Sequence, residues 1–363
     1  MAAPTAAIPF SMAVARQNNW RTRTIAFVLM LAMGGIFWVD SRYPSLLKKY
    51  NAGTHVKVVG AISFDAVYSV DRSMPLAQRV WKTSVNWLHA NEMGMTFGFF
   101  FGAASLAFLA TLPRRRTRFR FVNALIGAVT GMPLGVCANC VAPIGRGLYA
   151  SGMSTESVLA AMFSSPALNV LVLAMTFTLF PLPMALLKVV SVLLLIFVVA
   201  PIVGAMQDEK TEGIACPIEV PAAETWGRAV FSAGHTYARS FWYVFRVGAP
   251  LMILAAVLGA LAIELVPQNA LTAQVTLGGI VLVALIGAFL PVPMAFDVVI
   301  AYIAMTRGVP LPYVATILCT LGIYSVYSYS VVGKTISWKA ASAVYGAVVG
   351  LGVVAGIAAM GLR

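Results

Sequence analysis

Gly131-Met-Pro-Leu-Gly135-Val-Cys137-Ala-Asn139-Cys140-Val-Ala-Pro143-Ile-Gly145 closes an uncharged run that begins at Phe121 and stops at Arg146. Such a run is long enough to cross a bilayer. It is interrupted by proline, glycine, two thiols and an amide. In hydrocarbon, broken backbone is tolerated only where it is buried in protein or lines a water-filled cavity. The stretch therefore predicts a helix broken inside a larger membrane bundle, with the break turned toward other helices.

The composition supports that setting. The chain has 363 residues, of which 60% are hydrophobic and only 10% charged, against about a quarter charged in soluble domains. Mean hydropathy is +0.87. Uncharged stretches recur at Thr24–Val39, Met93–Pro113, Phe121–Gly145, Ser157–Leu187, Val189–Gln207, Val247–Ile263, Leu265–Phe296, Gly308–Gly333 and Ala340–Leu362. Together they predict an all-α polytopic membrane protein with about nine transmembrane helices. Thr24–Val39 lacks a small-residue cleavage site and reads as a retained first helix.

The net charge of +13 does not describe a nucleic-acid surface. Its arginines gather beside spans, with Arg16, Arg21 and Arg23 before the first and Arg114, Arg115, Arg116, Arg118 and Arg120 after the second. By the positive-inside rule this places the N-terminus and the 113–120 loop in the cytoplasm and the 40–90 segment outside. A multi-pass protein of the bacterial inner membrane follows. Its expected partners are the lipid bilayer and a small solute or ion, with no nucleic acid; a homo-oligomer stays open.

The chain divides into N-terminal helices with an extracytoplasmic loop (1–120), a first hydrophobic unit (121–206), a polar linker with a surface helix (207–240) and a second unit (241–363). Within the first segment, 75–90 reads either as an amphipathic interfacial helix or as an ordinary loop. The two hydrophobic units resemble each other. Residues Gly152 to Pro166 can be laid over Gly308 to Gly322, and Pro133 to Asn139 over Pro291 to Asp297 with a shift of two residues. Paired broken helices in corresponding positions point to a transport site at a repeat interface.

Several residues in the breaks carry candidate chemistry. Cys137 and Cys140 are three apart, so a helix puts both sulfurs on one face, close enough for one soft ion. A redox-active pair and plain packing are the competing readings. No second pair or histidine supplies a zinc set, and no metal or cofactor is expected. Asn139 and Pro143 accompany the thiols; Ser164, Ser165, Pro166 and Asn169 interrupt the next span, and Tyr324 heads a polar aromatic stretch that continues through Tyr327 and Tyr329. All are candidate substrate-binding residues. Asp297, the one acid between Leu265 and Thr306, is the candidate coupling carboxylate. Arg146 and Arg307 read as snorkelling anchors, Glu264 as interfacial. Gly98 and Gly102, and Gly346 and Gly350, have the spacing of close helix packing. No nucleotide loop, triad or carboxylate pair suggests an enzyme.

Cys137-Ala-Asn-Cys140-Val-Ala-Pro143, then Gly152, Phe163, Pro166 and Asn169, resembles the YraQ/ArsP-type predicted permease family, in which Cys-Ser-Cys-Gly-x-x-Pro precedes a Gly turn and Phe-x-x-x-Pro-x-x-Asn. The likeness is good over 121–205 and poor in the second half. Here Asn139 and Cys140 stand where the family has cysteine and glycine. The resemblance implies efflux of small solutes, including trivalent organoarsenicals held by thiols. The altered thiol spacing bears on that substrate and not on the permease class. The expected function is a secondary transporter working by alternating access. The alternatives are a membrane thiol–disulfide protein using Cys137 and Cys140, and a non-transporting subunit of a larger complex.

Overall fold

The computed structural model describes residues 20–44, 67–71, 73–111, 117–207, 225–265 and 275–361. The polar linker with Cys216, the arginines 114–116 and most of the 40–66 segment lie outside them. Every regular element among the described residues is helical. Helix α1 (Trp20–Phe37) runs into a π turn and packs on α2 (Leu76–Leu109), as does α8 (Trp226–Leu265). Helices α2 and α8 are antiparallel: Arg79 meets Glu264 at 2.9 Å, and Phe99 stands against Gly248.

Two sequence readings change here. The 75–90 segment is neither an interfacial helix nor a loop from Leu76 onward; it opens the 34-residue α2, and Trp87 within it is fully buried. The surface helix expected before 241 is instead continuous with the next span in the 40-residue α8.

One succession of elements occurs twice, once between α2 and α8 and once after α8. In the first half α3 (Arg120–Gly131) ends at Met132-Pro133-Leu134 and a left-handed Gly135, and α4 (Ala138–Ala150) restarts with Cys137 as its N-cap. Pro133 lacks an amide donor and stops the first helix. Gly152 (φ 93°) turns the chain into α5 (Thr155–Ala167); α6 (Val170–Leu179) follows at 49°, and α7 (Leu182–Ala205) completes the unit. In the second half α9 (Leu277–Phe289) breaks at Pro291-Val-Pro293, α10 (Phe296–Thr306) restarts after a left-handed Ala295, and Gly308 (φ 79°) turns into α11 (Leu311–Thr320). Helices α12 (Val326–Thr335) and α13 (Trp338–Ala359) complete it.

Glycine contacts fix the directions. Gly127 and Gly131 lie on Ser157 and Ala161, so α3 runs parallel to α5; α4 folds back against α5 through Gly145 on Met162. The α3–α4 pair is therefore a hairpin with its tip at 132–137. Gly279 on Tyr313 and Gly287 on Thr320 make α9 parallel to α11, so α9–α10 is a hairpin too. The first enters from the end of the bundle where α2 finishes and the second from the end where α2 starts. Their tips meet midway along α2.

Where nine spans were expected, five helices among the described residues are long and apolar enough to cross a membrane, or six with the bent α5–α6 pair. The stretches Phe121–Gly145 and Leu265–Phe296 supply the hairpins. Lys188, which divided two expected spans, is inside the 24-residue α7 and not at a boundary. Of the two glycine pairs, Gly98 and Gly102 press on the α4 backbone as expected. Gly346 and Gly350 face open space, and α13 instead packs through Gly352 and Gly356.

Candidate functional site at the hairpin tips

The break after α3 is closed by its own polar groups. The Cys137 sulfur accepts from Cys140 N at 3.1 Å, capping α4, and the two cysteines are joined as a disulfide. They are therefore not, in this state, the paired thiols of the soft-ion reading. Both are buried, and the Asn91 side chain of α2 lies 3.9 Å from the Cys137 sulfur. Ser165 braces the same tip, accepting from Val136 N at 3.2 Å and donating to its carbonyl at 3.3 Å.

Asn139 connects the halves. It is fully buried, and its amide donates to the Val292 carbonyl at 3.1 Å, in the break of the second hairpin. Its oxygen accepts from Ser325 at 2.7 Å, the residue that caps α12. Ser328 adds a bond to the Ala138 carbonyl at 2.8 Å. Trp87 of α2 donates to the Pro291 carbonyl at 2.5 Å, so one helix holds both tips. Asn169 caps α6 through Val172 N at 3.0 Å, while its amide reaches the Ser165 carbonyl at 2.8 Å and the Met294 sulfur at 3.7 Å. Buried polar groups in such a place need partners, and these breaks supply them to one another.

Cys137, Asn139, Cys140, Ser165 and Asn169 thus come together at the tips. Pro143 sits a turn further along α4, with its carbonyl facing Gly102. Its missing amide removes the helical bond the Asn139 carbonyl would accept. Pro166 is in the last turn of α5, its carbonyl accepting from Asn169 at 3.1 Å. Ser164 turns to Gly131 of α3 and bonds the Ala161 carbonyl, a packing position. Tyr324 is buried beside the α12 cap and its hydroxyl has no partner among the described residues; Tyr327 donates to the Gly248 carbonyl at 3.2 Å.

Asp297 lies in the first turn of α10 and is ion-paired with Lys188 of α7. Both are buried. The sequence reading missed Lys188 because a lone lysine between two apolar runs looks like a loop. It also missed Glu156, which is fully buried, accepts from Asn123 at 2.7 Å and lies 3.9 Å from Arg120. Arg146 is not a snorkelling anchor. It is 6% exposed, donates to the Tyr243 carbonyl and to Thr335, and lies 4.2 Å over the Tyr243 ring. Its aliphatic stem is too deep in the α4–α8–α12 contact to reach the surface. Arg307, exposed at the end of α10, fits the anchor reading. No group of three or more metal-ligating side chains occurs among the described residues.

The sequence profile of an ArsP-type family described as predicted permease matches residues 93–360. In Escherichia coli K12, the UPF0718 protein YraQ is 27% identical over 222 residues, which are 61% of this chain. The match spans 63% of the length of that relative. No solved structure matches.

Proposed function

The chain belongs to the predicted-permease family, and from that premise we propose that it carries a small solute across the bacterial inner membrane by alternating access at the hairpin tips. The observation that carries the proposal is the pair of Asn139 bonds to Val292 and Ser325. They put the break of one half against the break of the other, where inverted-repeat transporters hold their substrates. The twofold succession of hairpin, Gly turn, two short helices and a long helix supports two related halves, 121–206 and 241–363, entering from opposite faces. The arginines flanking α1 and α3 orient the N-terminus to the cytoplasm.

In this reading Cys137, Asn139, Cys140, Ser165 and Asn169 line the passage, with Tyr324 and its free hydroxyl beside it. Asp297 is the coupling carboxylate. When reduced, the two sulfurs at the α4 N-terminus offer soft ligands to a thiol-reactive species such as a trivalent metalloid. The test is uptake of methylarsenite, as the thiol-reactive probe, into everted vesicles. Vesicles carrying the protein should exceed empty ones, and Cys137→Ser and Asn139→Ala should lower the rate at equal expression. Equal uptake by both variants and the parent would remove these residues from the path.

The joined state of Cys137 and Cys140 favours a second reading, a membrane thiol–disulfide protein. That reading predicts both reduced and oxidised forms of the pair in purified protein exposed to dithiol reductant, and electron transfer without solute uptake.

A further inference from the structure

Four charged side chains are buried among the described residues: Arg146 (6% exposed), Glu156 (0%), Lys188 (1%) and Asp297 (4%). Lys188 and Asp297 pair with each other, and Glu156 has Arg120 at 3.9 Å. Arg146 has no ion pair. A buried lysine or carboxylate can escape its charge by proton transfer; a guanidinium cannot. A full positive charge is therefore fixed where charge is costly without a partner.

Its surroundings offer only partial charge. Nε donates to the Tyr243 carbonyl at 3.2 Å, Nη1 to the Thr335 hydroxyl at 3.1 Å, and the Tyr243 ring centroid is 4.2 Å from the guanidinium carbon. Helices α2, α5, α8 and α12 pack on α4. Helix α12 has no acid. Glu92 of α2 lies beside His89, Glu264 of α8 binds Arg79 near the start of α2, and Glu156 of α5 is held by Asn123.

A second cation stands there instead. Arg246, one turn along α8 from Tyr243, is exposed, lies 5.5 Å from the same ring and is within the field of Arg146. Two like charges thus converge on one aromatic ring with no anion of the described chain between them. Nη2 of Arg146 and the hydroxyl hydrogen of Thr335 have no acceptor among the described residues. Helix α4 leaves the hairpin tip at Ala138 and runs parallel to α2. Arg146 therefore lies roughly 12 Å from the tip, at about 1.5 Å per residue, toward the end where α2 finishes.

We propose that Arg146 and Arg246 form a binding site for an oxyanion of the phosphate class, with Thr335 as a further donor. The N–H groups of Arg146 left over from Tyr243 and Thr335 make charge-assisted bonds to its oxygens, and its negative charge offsets both guanidinium groups. The oxyanion is either free in solution or the head group of an anionic phospholipid. The site is separate from Cys137 and Asn139 and does not depend on the permease reading.

The experiment uses the full chain, delipidated in dodecyl maltoside. Binding of radiolabelled inorganic phosphate is measured by scintillation proximity at constant ionic strength, and binding of phosphatidylglycerol against phosphatidylcholine by native mass spectrometry. Phosphate should bind saturably to the parent, lose saturable binding in Arg146→Gln and bind several-fold more weakly in Arg246→Gln. Where Arg146→Gln fails to fold, Arg246→Gln decides, because its side chain is exposed. Preference for phosphatidylglycerol that is lost in the same variants, without phosphate binding, assigns the oxyanion to a lipid head group. No binding of either probe by the parent, or binding unchanged in the variants, overturns the proposal. Methylarsenite uptake without phosphate or phosphatidylglycerol binding removes the anion site and leaves the permease. Arginine-dependent binding without uptake leaves the anion site and removes the proposed cargo path.

Discussion

Asn139→Ala tests whether the two hairpin tips are joined as described. The side chain is fully buried and makes two bonds to the other half, at 3.1 Å to the Val292 carbonyl and 2.7 Å from Ser325. Interhelical hydrogen bonds in membranes are worth about 0.6 kcal/mol on average and about 1.7 kcal/mol at most. Losing both should destabilise the protein by about 1–3 kcal/mol. Ser325→Ala removes one of these bonds and also the cap on Ser328 N, worth about 1 kcal/mol. The double variant should then fall short of the sum of the singles by about 0.6–1.7 kcal/mol, the energy of the shared bond. Asn169→Ala is the contrast: it removes the α6 cap and a contact to Met294 but no bond to Ser325, so with Ser325→Ala it should be additive. The assay is unfolding by SDS titration from mixed micelles. Additivity of Asn139→Ala and Ser325→Ala within about 0.3 kcal/mol would refute the tip-to-tip bond.

Gly98→Ala places a Cβ 2.5 Å from the Cys140 carbonyl oxygen, so α2 and α4 must part by about 0.8 Å to reach ordinary contact. A loss of about 1–3 kcal/mol is expected in the same titration, whereas Gly346→Ala, facing open space, should be neutral. Lys188→Met alone leaves Asp297 buried without its cation and should cost about 3–5 kcal/mol, while Lys188→Met/Asp297→Asn recovers most of it.

The class of the protein and the position of the first break were legible because both are local. Uncharged runs declare the bilayer, and Pro133, Gly135 and the two cysteines declare an interruption. What the break does is not local. Asn139 finds its partners 153 and 186 residues away, so nothing near it distinguishes a bridge from a lining residue. Lys188 shows the opposite failure. A single lysine between apolar runs ends a hydropathy window whether it lies in a loop or deep in a helix. Only its acid, 109 residues on, separates the two cases. Arg146 was misjudged on the same ground: nearness to glycine suggested a helix end, while Tyr243 and Thr335, from distant helices, enclose it.

The two tips share a backbone plan and divide the chemistry between them. Cys137 caps α4 and Asn139 follows two residues later; Ala295 stands at the cap of α10 and Asp297 follows two residues later. Asn139 takes the cap residue of α12 as partner. The equivalent exchange would join Asp297 to Asn169, the cap of α6, yet Asn169 turns to Met294 and Asp297 to Lys188. The first tip is thus uncharged, capped and covalently closed. The second has no side-chain cap, carries the charge, and begins at a non-glycine residue with φ of 65°, a conformation costing about 1 kcal/mol or more. Strain at Ala295 and the ion-paired Asp297 thus fall on the same, second hairpin. The first is tied down instead by Ser165, Asn139 and the Cys137–Cys140 bond, so the two related breaks are held by different chemistry.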